Sequence, residues 1–384
     1  MGKRILGILL AIVLFAAALP AGARAADLQL AAPSAVLMDL ATGTVLYETE
    51  AHTRLAPASV TKVMTLLLIM EAIDSGKIGW QDMVTASEAA AAKGGSQVYL
   101  KVGETMSVED MVKSITVSSA NDCACAMAEY IAGSEAGFVE KMNQRAQELG
   151  MEDTHFVNCT GLDDEPSAAE HLTSAYDIAV MSRELLRNHP DIKRFTTIWM
   201  DTVRDGAFGL ANTNKLVRFY EGTTGLKTGF TSSAGHCLSA SAQRDGLELV
   251  AVVLHCASST DRFQSAKALL DYGFANYALV PVQEEEALQP VPVVLGQTGK
   301  VQPVASGERE LLIDKSLRQS VTREVKLEQS VTAPVSAGQR LGTLTVRAGE
   351  EVLAEVPLVA ENAVLRLSVK DLAMHLLRRI CMGG

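Results

Sequence analysis

The chain has 384 residues, with 34 lysines and arginines against 45 aspartates and glutamates, a formal net charge of −11. That balance excludes nucleic acid as a partner, because binding a phosphate backbone needs a basic surface. The length exceeds one ordinary hydrophobic core and predicts two domains.

The N-terminus opens with Lys3 and Arg4, then the apolar run "ILGILLAIVLFAAAL", then Ala23-Arg24-Ala25. The run is short for a membrane span, which takes roughly 20 residues. Small residues at the two positions a signal peptidase reads predict a cleaved secretory signal over 1–25. Its removal takes three bases and no acid, leaving 31 basic against 45 acidic residues.

From Ser34 to Glu48, "SAVLMDLATGTVLYE" predicts a strand, a turn and a second strand. Pro57 to Ile73 predicts a helix apolar on nearly all faces, hence a buried one. Residues 80–200 carry mainly helical patterns. Residues 236–256 return to strands, and "STDRFQSAKALLDYGFANY" predicts a closing helix near Tyr277. Strands, then helices, then strands predict one mixed sheet with a helical part inserted, over 26–277. Residues 278–363 shift to prolines, valines and short alternating runs such as "REVKLEQSV", the pattern of a small all-β domain. Within 364–384, Val369, Leu372, Ala373, Leu376, Leu377 and Ile380 recur at helical spacing, with Lys370, Asp371, His375, Arg378 and Arg379 mostly off that stripe. Two readings fit: a helix packed on the β domain, or, favoured by the basic end, an amphipathic helix lying in an anionic membrane surface.

Six cysteines show no C-x-x-C pair and no disulfide framework, and seven histidines are scattered. No zinc site is supported, and the cysteines read as small buried apolar residues.

Three short stretches carry chemistry. Ser59 and Lys62, in "PASVTK", lie nearly one helical turn apart, so their side chains share a face. A serine hydroxyl needs a base, and a lysine serves if burial or a second cation keeps it neutral. Ser119 and Asn121, in "SSANDCA", flank one residue, so that a tight turn aims a hydroxyl and an amide the same way. Lys227, Thr228 and Gly229, in "GLKTGF", precede the strand pattern and are expected on an edge strand. There Gly229 lets a substrate backbone approach, and Lys227 supplies a carboxylate-binding cation that also crowds Lys62. Each stretch alone also reads as a helix cap, a loop or a strand turn.

In this order, S-x-x-K, S-x-N and K-T-G form the constellation of penicillin-binding proteins and class A β-lactamases. Together with "HFVNCTGLDDE", "LTSAYDIAVMSRELL" and "NTNKL", they resemble the serine-type D-alanyl-D-alanine carboxypeptidases, the low-molecular-mass penicillin-binding proteins, over nearly the whole chain. The resemblance implies an α+β fold: a β-lactamase/transpeptidase-like catalytic domain, an antiparallel sheet with helices on both sides and a helical subdomain, then a small β-sandwich and the terminal amphipathic helix. It implies Ser59 as nucleophile, Lys62 as base and Ser119 as proton shuttle. Asn121, Lys227, Thr228 and Gly229 would hold the substrate. The backbone N–H groups of Ser59 and Phe230 would form the oxyanion hole. No cofactor or metal is implied; the partners are peptidoglycan stem peptides, β-lactam inhibitors and the membrane surface, at the outer face of the cytoplasmic membrane or in the cell wall.

Two positions depart from the family pattern. Phe230 stands where some relatives have histidine, and Thr213 where some have arginine, with Lys215 or Arg218 as candidates to compensate. A β-lactamase is disfavoured, since Glu165 and Glu170 lie in "DDEPSAAEHL", which matches the carboxypeptidase pattern, and a separate β domain with a terminal amphipathic helix has no use in a diffusing lactamase. An endopeptidase cutting D-Ala cross-links, and a silent binder of stem peptides, remain as alternatives.

Overall fold

The computed structural model describes residues 28–164, 166–283, 287–370 and 373. The predicted signal over 1–25 and residues 371, 372 and 374–384 of the predicted terminal helix lie outside the described residues; of the rest of that stretch, 364–368 are extended rather than helical, Val364 bridging to Val335 and Arg366 to Gly296.

The first strand pair forms as expected. Strand β1 (Ser34–Asp39) turns into β2 (Val45–Thr49). Asp39 Oδ2 accepts from Thr42 N and Oγ1 in the turn, and Gly43 supplies the left-handed backbone at φ +78°. Strands β3 (Thr223–Thr231), β4 (Gly235–Arg244) and β5 (Leu247–Cys256) complete an antiparallel sheet in the order β2-β1-β5-β4-β3. The strand carrying Lys227 is therefore an edge strand.

The two-residue period of the strands sorts side chains to the two faces. Val36, Met38, Val250, Val252 and Leu254 join one core; Ala35, Leu37, Leu249, Ala251 and Val253 join the other. Helix α1 (Lys62–Asp74) stands on the first side, buried from Lys62 through Met70, because its sequence is apolar all round. The same core takes in α2 (Val108–Ser118), α3 (Asn121–Ala132), α4 (Glu135–Glu148) and α5 (Ala175–Asn188). Helix α6 (Ser259–Asn276) covers the opposite face with Phe263, Ala266, Leu269 and Leu270. Serine side chains at 107, 134, 174 and 258 accept from backbone N–H groups three residues on, fixing where α2, α4, α5 and α6 begin.

Helix α1 departs from the expectation of a helix starting at Pro57. Residues Ala58–Thr61 form a 3-10 turn, and the α-helix begins only at Lys62. Ala58 sits at φ +48°, which no α-helical turn accommodates. Ser59 thus lies just before the helix rather than inside it.

Beyond α6 the described residues form mainly strands, with a 3-10 turn at Lys315–Ser320. Strand Tyr277–Pro281 pairs with Glu310–Asp314, and a four-stranded sheet contains Arg340–Ala348 and Glu351–Ala360 as neighbours. Small cores of their own hold this region, one built on Leu344, Val346 and Leu358. Among the described residues no helix is long and apolar enough to cross a membrane.

Candidate active site

The 3-10 turn brings Ser59 and Lys62 together. Lys62 Nζ stands 3.0 Å from Ser59 Oγ and donates to the Thr160 carbonyl at 2.7 Å. Lys62 is 0 % exposed. Burial lowers its amine to about 7, against the opposing pull of nearby acidic groups, Cys159 and Asp122. The expected push from Lys227 falls the other way. It is Lys227, also buried, that is lowered by burial and then by the neighbouring charges of Lys62 and Arg262.

Thr160 lies on a loop that no sequence reading had assigned a role. Asn158 Oδ1 accepts from Thr160 N, Thr160 Oγ1 and Gly161 N, curling the loop on itself. Asn143 on α4 holds Phe156 through both its N–H and its carbonyl, and Thr65 on α1 donates to Cys159 O at 2.6 Å. The chain needs glycine at 161: φ is +82°, and a Cβ there would stand 1.9 Å from Ala58 O. The N-x-T-G spacing is the one local sign of this turn, since an asparagine side chain and a glycine at that interval make an Asx-type turn.

Ser119 ends α2 in the left-handed conformation at φ +63°, and Asn121 opens α3. The tight turn between them is the one the sequence implied. Asn121 N donates to Ser96 O and its Nδ2 to Gly94 O, so the amide is locked and Oδ1 faces away from those partners. Ser119 Oγ and Asn121 Oδ1 are buried, and neither has a hydrogen-bond partner among the described residues. Two orphaned polar atoms on one short motif are costly unless something else meets them. Asp122, next in the chain, accepts from Val98 N and Leu100 N, which ties the segment between them to the start of α3.

On β3, Thr228 Oγ1 donates to Thr213 Oγ1 at 2.6 Å, and Lys227 Nζ donates to Thr228 O at 2.8 Å. Neither candidate cation for the missing arginine reaches this point. Arg218 lies over the Trp199 and Phe219 rings, and Lys215 is exposed on a cavity lined by Ser259, Phe263 and Lys267. Arg262, buried on α6, donates to Gly229 O at 3.0 Å and braces the strand from behind. A Cβ on Gly229 would stand 2.7 Å from Pro57 O and 3.0 Å from Ser59 N. Phe230 is 58 % exposed and stacks on His236 at 4.3 Å.

The three motifs therefore meet. Gly229 touches the Ser59 turn. A Cβ on Gly95 would lie 3.3 Å from Leu162 and 2.8 Å from Asn121 Nδ2, which joins the Thr160 loop to the second motif. Thr213 N donates to Val117 O, which joins that motif to Thr228. The arrangement supplies a nucleophile, an amine lowered to about 7 in contact with it, two buried polar atoms without partners among the described residues and a second buried amine on an edge strand. That is the equipment of acyl transfer.

Comparison with known proteins agrees. The family model described as D-alanyl-D-alanine carboxypeptidase matches residues 21–258, and that of the penicillin-binding protein 5 C-terminal domain matches 280–366. The D-alanyl-D-alanine carboxypeptidase DacF of Bacillus subtilis is 42% identical over 346 residues, covering 89% of this chain and 88% of the relative. Penicillin binding protein 5 from Haemophilus influenzae superposes with a TM-score of 0.74 at 30% identity, over 88% of this chain and 98% of that one. Penicillin-binding protein D2 from Listeria monocytogenes, solved in an ampicillin-bound form, gives a TM-score of 0.59 at 31% identity, over 65% and 99%. With both halves matched in order and the three motifs converged on one cleft, the chain belongs to the D-alanyl-D-alanine carboxypeptidase family of serine peptidases.

Proposed function

We propose that this protein removes the terminal D-alanine from peptidoglycan stem pentapeptides through an acyl-enzyme on Ser59, and that penicillins inhibit it by acylating the same hydroxyl. The observation that carries this reading is the buried Lys62 amine, lowered to about 7 and 3.0 Å from Ser59 Oγ. A neutral amine at that distance is a general base at physiological pH.

Ser59 Oγ attacks the carbonyl carbon of the penultimate D-alanine, and its proton passes to Lys62 Nζ. The carbonyl oxygen becomes an oxyanion facing the N–H groups of Ser59 and Phe230. The C–N bond breaks as the leaving amine takes that proton from Lys62 Nζ, relayed through Ser119 Oγ, which leaves Lys62 neutral again. Free D-alanine departs and an ester remains on Ser59. Water then attacks that ester, Lys62 takes the water's proton, and Ser59 Oγ leaves protonated. The product tetrapeptide can no longer donate a cross-link. Lys227 and the Thr228–Thr213 hydroxyl pair receive the terminal carboxylate, with Thr213 standing in for the arginine of some relatives. Asn121 Oδ1 accepts from a substrate amide, and Gly229 admits the substrate backbone beside β3.

This activity belongs outside the cytoplasm, where peptidoglycan lies. The apolar residues 5–19 followed by Ala23-Arg24-Ala25 support export through a cleaved signal. The apolar stripe and basic end of 364–384 support attachment to the outer face of the cytoplasmic membrane. Vesicle flotation of the chain with and without those residues tests the attachment; equal flotation refutes it.

The function is tested by D-alanine release from diacetyl-L-Lys-D-Ala-D-Ala by the protein lacking residues 1–25. Penicillin-sensitive release that Ser59→Ala abolishes is expected. Release undiminished in Ser59→Ala refutes the mechanism. Penicillin labelling of Ser59 with no release redirects the assignment to cross-linked muropeptides.

A further inference from the structure

The least favourable backbone in the catalytic turn belongs to Ala58, the residue before the nucleophile, a non-glycine residue at φ +48°. A relay of three hydrogen bonds, each with a fixed direction, ends on its carbonyl. Val157 N–H donates to His171 Nδ1 at 3.0 Å, so that nitrogen carries no proton. The ring proton sits on Nε2 and is donated to Thr61 Oγ1 at 2.7 Å. The Thr61 hydroxyl donates in turn to Ala58 O at 2.8 Å. His171 and Thr61 are both buried. Burial, followed by the neighbouring charges of His155 and Lys62, lowers His171 to about 4, which keeps the ring neutral at pH 7. Gly161 packs against the same carbonyl.

The two cis peptides of the described chain lie elsewhere, at 225–226 and 333–334, so the Ala58–Ser59 peptide is trans. Its C=O and N–H lie in one plane and point in opposite directions. Holding Ala58 O on Thr61 therefore aims Ser59 N–H away from Thr61 and His171. Ser59 N lies beside β3, 3.0 Å from where a Cβ on Gly229 would sit. We infer that His171 and Thr61 are positioning residues for the oxyanion hole, their relay to the Ala58 carbonyl setting the direction of the Ser59 N–H. Neither touches the substrate. Val157 and Thr160 sit on one loop, so that loop orients both the hole, through His171, and the base, through Lys62 Nζ. The inference rests on the acyl-transfer reading above.

The test measures benzylpenicillin acylation by stopped flow, which separates the non-covalent constant K from the acylation rate constant, together with kcat and KM for D-alanine release. Wild type is measured first. If it neither acylates nor releases D-alanine, the acyl-transfer reading fails and takes this inference with it. Thr61→Val keeps the shape and removes both hydrogen-bonding roles; Thr61→Ser restores them; His171→Phe breaks the relay one step earlier. Thr61→Val and His171→Phe are expected to lower the acylation rate constant per titratable site at least about tenfold, with K changed less than about twofold. The upper bound is the loss of about 10²–10³-fold seen when an oxyanion donor is deleted. Thr61→Ser is expected to stay within about threefold of wild type. A fall in melting temperature with an unchanged rate constant in Thr61→Val overturns the inference, as does an equal loss in Thr61→Ser and Thr61→Val. Should Phe at 171 prevent folding, His171→Gln keeps an amide in the cavity; the same rate loss is expected, and an unchanged rate constant again overturns the assignment.

Discussion

Lys62 and Lys227 need opposite protonation states, although burial lowers both. A base must be neutral and a carboxylate receptor charged, so the productive form of the pair holds one proton, on Lys227. A bound substrate carboxylate favours that form by raising Lys227. The acylation rate with a penicillin should therefore rise with pH towards about 7, where Lys62 loses its proton, and fall at higher pH as Lys227 loses the proton that the pair must keep. A pH–rate profile flat between 5.5 and 8 would count against Lys62 as the base. Lys62→Arg keeps the charge but cannot lose a proton, so it should lower acylation by about 10²–10⁴-fold. His171 adds a separate prediction about stability. Its folded value of about 4 lies below the ordinary 6.5, so the unfolded chain binds more protons between those limits. Stability from this group is complete above pH 6.5, falls as pH drops from 6.5 to 4, and falls no further below. The total is about 3 kcal/mol. The neighbouring charges of His155 and Lys62 act in the same direction as burial, opposing a proton on the ring. Urea titrations at pH 7 and pH 4.5 should show wild type losing more stability than His171→Phe over that interval; parallel losses would remove His171 as the cause.

At the scale of elements, the site is an edge strand laid against a strained turn. The contact between β3 and the Ser59 turn leaves no room for a side chain at Gly229. Gly229 needs no left-handed backbone, so the requirement there is steric. Gly229→Ala should push β3 off the turn, lowering penicillin acylation at least about tenfold while leaving most of the stability, since core overpacking costs about 1–3 kcal/mol. An unchanged acylation rate would show that the strand relaxes freely. Gly161→Ala combines a left-handed φ with a Cβ 1.9 Å from Ala58 O, and should impair folding itself. These elements differ in how far the sequence revealed them. Alternating and all-round apolar patterns marked β1, β2, β4, β5, α1 and α6, because burial on one face or all faces imposes a period. The S-x-x-K spacing marked the Ser59–Lys62 pair, because three residues nearly complete a turn in either a 3-10 or an α geometry. The same ambiguity hid the 3-10 turn itself, since Pro57 fits the start of both. The partners that complete the site left no such mark. Thr160 lies 98 residues from Lys62 and His171 lies 110 from Thr61, and tertiary placement alone brings them together.

At the scale of the whole molecule, the chemistry and the β region are separable in one respect and joined in another. Every group placed in the cleft, from Pro57 to Arg262, lies in the first region. The junction is nonetheless packed. Lys315 donates to Phe274 O at 2.7 Å, and Leu279 and Leu312 pack into the core beneath α6. Removing the chain after residue 277 would uncover Phe274 and delete Leu279, each worth about 1.5–3 kcal/mol of burial. The shortened protein should therefore melt several degrees lower, yet acylate with penicillin at a rate constant within about twofold per titratable site, because no group at the reacting centre loses a partner. A small tripeptide should be cleaved equally well by both forms. A polymeric wall should not be: a β region that contributes nothing to the cleft has its use in placing that cleft against an extended, surface-bound substrate. Comparing D-alanine release from soluble tripeptide and from isolated wall sacculi separates these roles. Loss confined to sacculi assigns the β region to placement, whereas equal loss on both substrates means the junction under α6 shapes the active site after all.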